Sequence, residues 1–337
     1  MSLETLIQTY RPALERYLRA AVQRAAGSEL PELHTMMAYH MGWEGEGAGS
    51  EATGKRIRPI LTLLTAQAAG GEWQHALPAA AAIELIHNFS LIHDDIEDNS
   101  PLRRGRPALW AKWGIPQAIN TGDAMFSLAH LTIISLAETA SPTVTLQATE
   151  ILQRSCLQLT QGQHLDIAYE DERTLPLDAY WPMVKGKTAA LLAACTEIGA
   201  LVAGADAPAR QAYRRFGRDL GLAFQVLDDI LGIWGDSGKI GKSSVSDLVE
   251  GKKSLPVLYG LAQGGDFATR WERGGIRPEE VPALAAELES EGAREFAQSE
   301  ANRLTDSALA ALEEASPQGK AGDALRELAR ILLQRDV

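Results

Sequence analysis

Apolar positions recur at helical spacing along almost the whole chain, and the alternating β-branched runs that mark strands are absent. Leu3, Leu6, Ile7, Tyr10, Leu14, Tyr17 and Leu18 share one face, which predicts an amphipathic helix over 3–26 ending at Gly27-Ser28. Residues 42–54 are rich in Gly and Glu and read as a loop, after which helix resumes at once. The alanine-rich run 76–86 has no glycine, so 79–98 is expected to be one long helix closed by Asn99-Ser100-Pro101. A buried helix is expected over 189–205; Thr196-Glu197 interrupts it, and it falls short of the ~20 residues a bilayer span needs. Amphipathic patterns at Val281–Ser290, 293–315 and 324–333 close the chain. Together these predict an all-α fold, with residues 1–337 forming a single domain.

Composition narrows the function. A chain of 337 residues, 45% of them hydrophobic, can bury a large core, and a net charge of −12 argues against a nucleic-acid partner. An anionic ligand would then need cations placed locally. The two cysteines, Cys156 and Cys195, are too far apart in sequence for a zinc knuckle or a disulfide framework, and fit a reducing cytosol. No basic segment followed by an apolar core opens the chain, so no signal peptide is expected.

Candidate chemistry starts at Asp94-Asp95-Ile96-Glu97-Asp98, the end of the expected helix 79–98. Asp94 and Asp98, four residues apart, share a face. Five residues further on stand Arg103 and Arg104. Carboxylates beside a double guanidinium suit a Mg²⁺-bridged phosphate group, since Mg²⁺ takes one or two carboxylates plus phosphate oxygens and arginine forks grip the rest. A second pair, Asp228-Asp229, ends the apolar stretch Phe224-Gln225-Val226-Leu227 and is followed by a lysine-bearing loop. Lys55, Arg56 and Arg58 crowd the start of another helix, where free amides and the dipole favour an anion.

These motifs resemble those of the trans-isoprenyl diphosphate synthases, the polyprenyl synthetase family: DDIED with RRG as its first aspartate-rich motif, FQVLDD as its second. The resemblance covers nearly the whole chain and implies a helical bundle around a deep central cavity. It implies that Asp94, Asp95, Asp98, Asp228 and Asp229 hold about three Mg²⁺. It also implies that Lys55, Arg58 and His87 take the diphosphate of isopentenyl diphosphate. Arg103, Lys187, Thr188, Lys242 and Lys252 would serve the allylic diphosphate, with Lys239 a lesser candidate for reaching over it, and Arg104 and Gln225 would also bind substrate. Asn120-Thr121-Gly122-Asp123 matches a supporting motif, and Gln163 and Asp166 match the family's GQxxD.

The implied reaction ionises an allylic diphosphate (dimethylallyl, geranyl or farnesyl), adds isopentenyl diphosphate to the cation and loses a proton. Asp94, Asp98, Arg103, Lys187 and Asp228 would offset the leaving-group charge. Phe89 and Ser90, at the fifth and fourth positions before Asp94, match members that form the C20 product geranylgeranyl diphosphate; farnesyl or longer products are the alternative. A cytoplasmic homodimer is implied as well. Gly232 departs from the pattern, standing where the family often has a third aspartate in the second motif. Three rivals stand behind this reading. A class I terpene cyclase would need a different second metal motif. A catalytically silent partner subunit would lack the aspartates. A di-iron bundle would use Glu84-x-x-His87 and Glu72-x-x-His75, too close in sequence to face each other.

Overall fold

The protein, a computed structural model describing residues 2–26, 29–170, 172, 175–235 and 246–333, is all-α apart from one minimal hairpin among those residues. Contacts divide it into two compact units, the first comprising Met1–Gln153, Cys195–Arg210 and Ser316–Leu325, the second Arg154–Ala194, Gln211–Ala315 and the remainder from Arg326.

In the first unit the main helices are α1 (Leu3–Ala26), α2 (Pro31–His40), α3 (Ile57–Ala68), α4 (Leu77–Glu97) and α5 (Ile115–Ile134). α4 is the axis of its core. Ala79, Ala80, Ala81, Ala82, Ile83, Leu85 and Ile86 are all fully buried, so this stretch is apolar on every side, as a helix surrounded by helices must be. Its small residues let α5 lie close along it, and α3 and α1 complete the surround. Gly122 of α5 is part of that fit, since a Cβ there would collide with the His93 ring.

The end of α4 is built by Asn99. Its φ of 49° puts it in the left-handed region that stops a helix. The amide of Asn99 then donates to Ile96 O (3.2 Å) and that of Ser100 to Asp95 O (2.9 Å), so the last carbonyls are satisfied where the acids stand. Pro101 follows and the chain turns back through β1 (Leu102–Arg103) and β2 (Arg106–Pro107), paired antiparallel. Arg104 (φ 52°) and Gly105 (φ 74°) form the two-residue turn, both left-handed as such a tight hairpin requires. Nothing in the periodicity announced this hairpin.

Arg106 fastens the segment 42–54 beneath it, donating to Glu46 O (2.9 Å), Tyr39 O (2.9 Å) and Glu44 O (2.6 Å). That segment, expected as pure loop, also contains the single helical turn Ser50–Thr53.

The second unit takes in the C-terminal half of α6 (Pro142–Glu170), with α7 (Tyr180–Val184), most of α9 (Ala207–Trp234), α10 (Asp247–Glu250), α11 (Leu255–Gln263), α12 (Val281–Ser290) and α13 (Ala293–Glu314). α8 (Ala190–Val202) and α14 (Gly319–Leu333) run across the division. Ile233, Leu248, Val257, Phe267, Leu284 and Leu288 form one apolar cluster that fixes α9, α10, α11 and α12 together. A π-helical turn, Lys185–Ala189, joins α7 to α8. It lies where Gly162 of α6 and Gly186 touch backbone to backbone, a contact that any Cβ on either would obstruct. The apolar helix expected from 189 therefore extends back through this turn to Tyr180.

Candidate active site

The last turn of α4 carries Asp94, Asp95 and Glu97, with Asp98 as its cap. Helix carbonyls already concentrate negative charge there, so four acids are costly unless cations are supplied. The hairpin supplies one. Arg103 Nε donates to Asp95 Oδ1 at 2.7 Å, and its Nη2 lies 2.5 Å from that oxygen and 3.5 Å from Asp94 Oδ2.

The three aspartates expected on metal thereby separate. Asp95 is 1% exposed and turned toward the guanidinium; burial raises its pKa and Arg103 pulls it back down. Its Oδ2 is buried without a hydrogen-bond partner. Asp94 is partly exposed and Asp98 is exposed, both at the helix end. Hard carboxylate oxygens on one face, at the negative pole of a helix and beside an arginine, fit Mg²⁺. Among the described residues no three His, Cys, Asp or Glu side chains form a preformed cage. A cation here would thus complete its shell with water and phosphate oxygens.

The cations of the first unit divide similarly. Arg56, left-handed at φ 54° and 3% exposed, points into the core. It donates to Glu15 Oε1 (2.9 Å), Glu84 Oε1 (2.6 Å) and Met41 O (3.1 Å). Locking Arg56 sets the start of α3, leaving Lys55 exposed and Arg58 against His87, with Nη1 3.1 Å from His87 Nε2. Glu84 also accepts from Asn88 Nδ2 (2.9 Å), so this acid of the Glu-x-x-His spacing is engaged by the fold; Glu72 is 76% exposed beside His75.

Burial, then the neighbouring Arg58 and Arg104, holds the His87 pKa well below the ordinary imidazole value. Arg58 Nε is buried and has no hydrogen-bond partner. Among the described residues Arg104 Nη1 donates to a carbonyl, Ala52 O, at 2.8 Å. Burial lowers the pKa of both arginines. Half-buried guanidiniums without a carboxylate on each are chemically suited to an anion. His40, the last residue of α2, joins them. Burial and the charges of Arg104, Arg103 and Arg56 lower its pKa to about 3, and its Nε2 is buried without a partner. No motif marked His40 in the sequence.

In the second unit, hydrogen bonds string together residues that stand far apart along the chain. Thr188 Oγ1 donates to Gln225 Oε1 (2.9 Å), and Gln225 Nε2 donates to Asp229 Oδ1 (2.9 Å). Asp229 Oδ2 accepts from the Tyr180 hydroxyl (2.7 Å) and the Leu255 amide (3.0 Å). With three donors on it and 6% exposure, Asp229 is held by the protein; burial nonetheless pushes its pKa up to about 7. Asp228, one residue earlier, is the partly exposed member of the pair. Lys187 forms an ion pair with Asp166 Oδ2, which makes Asp166 the acid that orients this lysine. Lys252 Nζ lies 2.5 Å from Glu250 Oε2 and 3.5 Å from Asp247 Oδ1. Lys239 and Lys242 lie outside the described residues.

On α4, the Phe89 ring packs against His93 (centroids 4.9 Å apart) and against Phe126 of α5 (5.0 Å). The Ser90 hydroxyl donates to His87 O at 2.8 Å. Among the described residues no helix is long and apolar enough to cross a membrane.

Residues 48–273 match the family model of the polyprenyl synthetases. The chain is 39% identical over 315 residues to a (2E,6E)-farnesyl diphosphate synthase of Mycobacterium tuberculosis, covering 90% of this chain and 87% of that one. It is also 39% identical over 303 residues to a geranylgeranyl diphosphate synthase of the same organism, covering 87% and 85%. The crystal structure of a polyprenyl synthetase from Streptomyces coelicolor superimposes with a TM-score of 0.88 at 36% identity, over 98% of this chain and 99% of that one.

Proposed function

The chain belongs to the polyprenyl synthetase family, and from that premise we propose that it condenses isopentenyl diphosphate with allylic diphosphates in trans, ending at geranylgeranyl diphosphate. It is a prenyltransferase that elongates a prenyl chain and releases diphosphate. The observation that carries the site assignment is the return of Arg103 onto Asp94 and Asp95, which sets a guanidinium among hard oxygen donors.

Asp94 and Asp98 of the first motif and Asp228 of the second hold Mg²⁺, about three ions per active site. When bound there, Mg²⁺ offsets the charge that develops on the departing diphosphate. Arg103 and Lys187 grip oxygens of the same allylic diphosphate, as do Lys242 and Lys252. Arg58 and Arg104, with Lys55 and neutral His87, bind and orient isopentenyl diphosphate. Asp95 and Asp229 act from inside the fold: the first aims Arg103, the second aims the helix turn that bears Asp228. Thr188 and Gln225 extend that support toward the substrate. Apolar side chains exclude water from the allylic cation, which needs no protein nucleophile.

Phe89 limits the product by closing the far end of the prenyl pocket, while Ser90 is too small to block it, which supports a C20 product. A C15 product is the second reading, supported by the equal 39% identity to a farnesyl synthase. We place the enzyme in the cytoplasm as a homodimer; the exposed Ile115, Ile119, Leu131 and Ile134 of α5 support self-association. All 337 residues act as one catalytic domain in this reading. Incubation with Mg²⁺, isopentenyl diphosphate and each allylic primer, followed by mass spectrometry, tests it. A C20 product from farnesyl diphosphate is expected, and no isopentenyl-dependent product from any primer would sink it.

A further inference from the structure

His40 closes α2 outside every motif, yet the structure turns its ring toward Arg104. The residue is firmly held. Arg56 Nη2 donates to the carbonyl of the adjoining Met41 (3.1 Å), whose amide donates to Met37 O (3.0 Å), so the end of α2 is fixed against the start of α3. The His40 ring hydrogen-bonds to the backbone of Asn88 on α4, while Nε2 is buried without a partner, which leaves that bond to Nδ1. A neutral imidazole donating from Nδ1 carries its lone pair on Nε2. His40, Arg103 and Arg104 line one cavity of about 20 Å³, together with Tyr39, Ala52 and Arg106. One water needs roughly 10–15 Å³ and at least two polar partners. The three arginines differ in what they can still give. Arg106 donates to three carbonyls, and Arg103 is turned to Asp95. Arg104 gives Nη1 to Ala52 O (2.8 Å) and lies against Gly54, where a Cβ would stand 2.9 Å from its Cζ. Of the charges around His40, that of Arg104 acts on it most strongly.

We infer that His40 is a positioning residue: through one water in this cavity, its Nε2 accepts the hydrogen bond that holds the Arg104 guanidinium toward isopentenyl diphosphate. This rests on the reading of Arg104 as a ligand of that substrate. A neutral acceptor suits the task. A carboxylate in its place would pair with the guanidinium and repel the diphosphate, whereas an imidazole orients the cation and leaves its charge for the substrate. Burial and the surrounding arginines keep the ring neutral at any pH near 7.

Two substitutions separate the two ring nitrogens. Asparagine keeps a donor where Nδ1 stands and has no atom at Nε2, whereas glutamine reaches the Nε2 position. In steady-state kinetics His40→Asn should raise the KM for isopentenyl diphosphate about tenfold, the scale of one hydrogen bond to a charged group, with kcat and the KM for the allylic primer near the parent values. His40→Gln should bring that KM back to within about threefold of the parent. In an Arg104→Lys background His40→Asn should change nothing further, the non-additive pattern of residues that act through one another. The inference fails if His40→Asn keeps the parent's KM, if His40→Gln is as impaired as His40→Asn, or if the losses of His40→Asn and Arg104→Lys add. A His40→Asn variant that does not fold by circular dichroism would make His40 a residue of the fold alone and overturn the inference too. Calorimetry with inorganic diphosphate on the metal-free protein reads the same site without turnover, and parent and His40→Gln should bind more tightly than His40→Asn. A parent that binds this probe in that order but makes no isopentenyl-dependent product would overturn the proposed reaction while leaving the link between His40 and Arg104 standing.

Discussion

The hydroxyl of Tyr180 donates to Oδ2 of Asp229 across 2.7 Å, and both groups are buried. A carboxylate this deep depends on its donors, since burial alone drives its pKa up. Tyr180→Phe removes one donor of three and leaves the shape of the side chain. Stability should fall by about 1–3 kcal/mol, the cost of an unmet bond to a buried acid. In the proposed site Asp229 aims its neighbour Asp228, so kcat should fall while the KM for isopentenyl diphosphate stays near the parent value. Thermal melting and steady-state kinetics check both halves, and an unchanged kcat would remove Tyr180 from the site.

Tyr180 also marks the limit of what the sequence discloses. Asp228 and Asp229 were visible as a motif, but Tyr180 sits 49 positions from Asp229 with no motif of its own, and only the fold makes them neighbours. The same holds for His40, and for Gly162 against Gly186, which meet at the π-helical turn carrying Lys187. Local features were legible: the α4 helix and its stop at Asn99 follow from an unbroken apolar run and a residue tolerant of positive φ. The hairpin at 102–107 was not, because two-residue strands have no periodicity to read. Which of several adjacent charges turns inward was equally hidden. Arg56 and Asp95 look like their neighbours in sequence and differ only in burial.

Exchanging one acid at a time should expose that difference. Asp95 pairs with Arg103 in the interior, so Asp95→Asn should lower stability and disturb the guanidinium, whereas Arg103→Ala should cost about 3–5 kcal/mol by stranding a buried charge. Asp94 stands at the partly exposed helix end, where Asp94→Asn should barely change the melting temperature yet cut kcat about 10²–10³-fold. Equal kinetic and thermal losses in both asparagine variants would contradict the separation.

Two buried imidazoles predict how the fold responds to acid. The pKa of His40 is lowered to about 3 and that of His87 well below its usual value, each chiefly by burial and then by neighbouring arginines. Below pH 6.5 the unfolded chain takes up protons that the folded chain refuses, so these groups withdraw stability as pH falls from 6.5 toward 3. Asp229, with its pKa raised to about 7, acts in the opposite direction between pH 7 and 4. The difference between parent and His40→Asn isolates one histidine. Relative to pH 7.5, that variant should gain about 2 kcal/mol on the parent by pH 5. Denaturant titrations at the two pH values measure it, and a pH-independent difference would refute it.

Ligand linkage should separate the cation from the fold. Arg103 already offsets part of the acid charge at the end of α4, so removing divalent cations with a chelator should abolish turnover and leave the helical far-ultraviolet spectrum unchanged. Adding Mg²⁺ together with inorganic diphosphate should raise the melting temperature, with saturation giving about 2.7 kcal/mol at a hundredfold excess over Kd. Diphosphate without Mg²⁺ should give a smaller shift, carried by the arginines alone.

Product length offers the most direct reading of the pocket. Phe89 is wedged between the His93 ring on its own helix and Phe126 across on α5, so its position is set by packing from two sides. Phe89→Ala removes the ring without touching the acids one turn further on. The lost volume should open depth for at least one more five-carbon unit, giving products at least five carbons longer than the parent's, at a stability cost of about 3–5 kcal/mol if the neighbours do not close in. Ser90→Phe should act in reverse by adding a ring beside the first, shifting the product toward C15. Mass spectrometry of both variants with the same primer decides the matter: opposite shifts identify the floor of the pocket, and identical product profiles would place it elsewhere on α4 or α5.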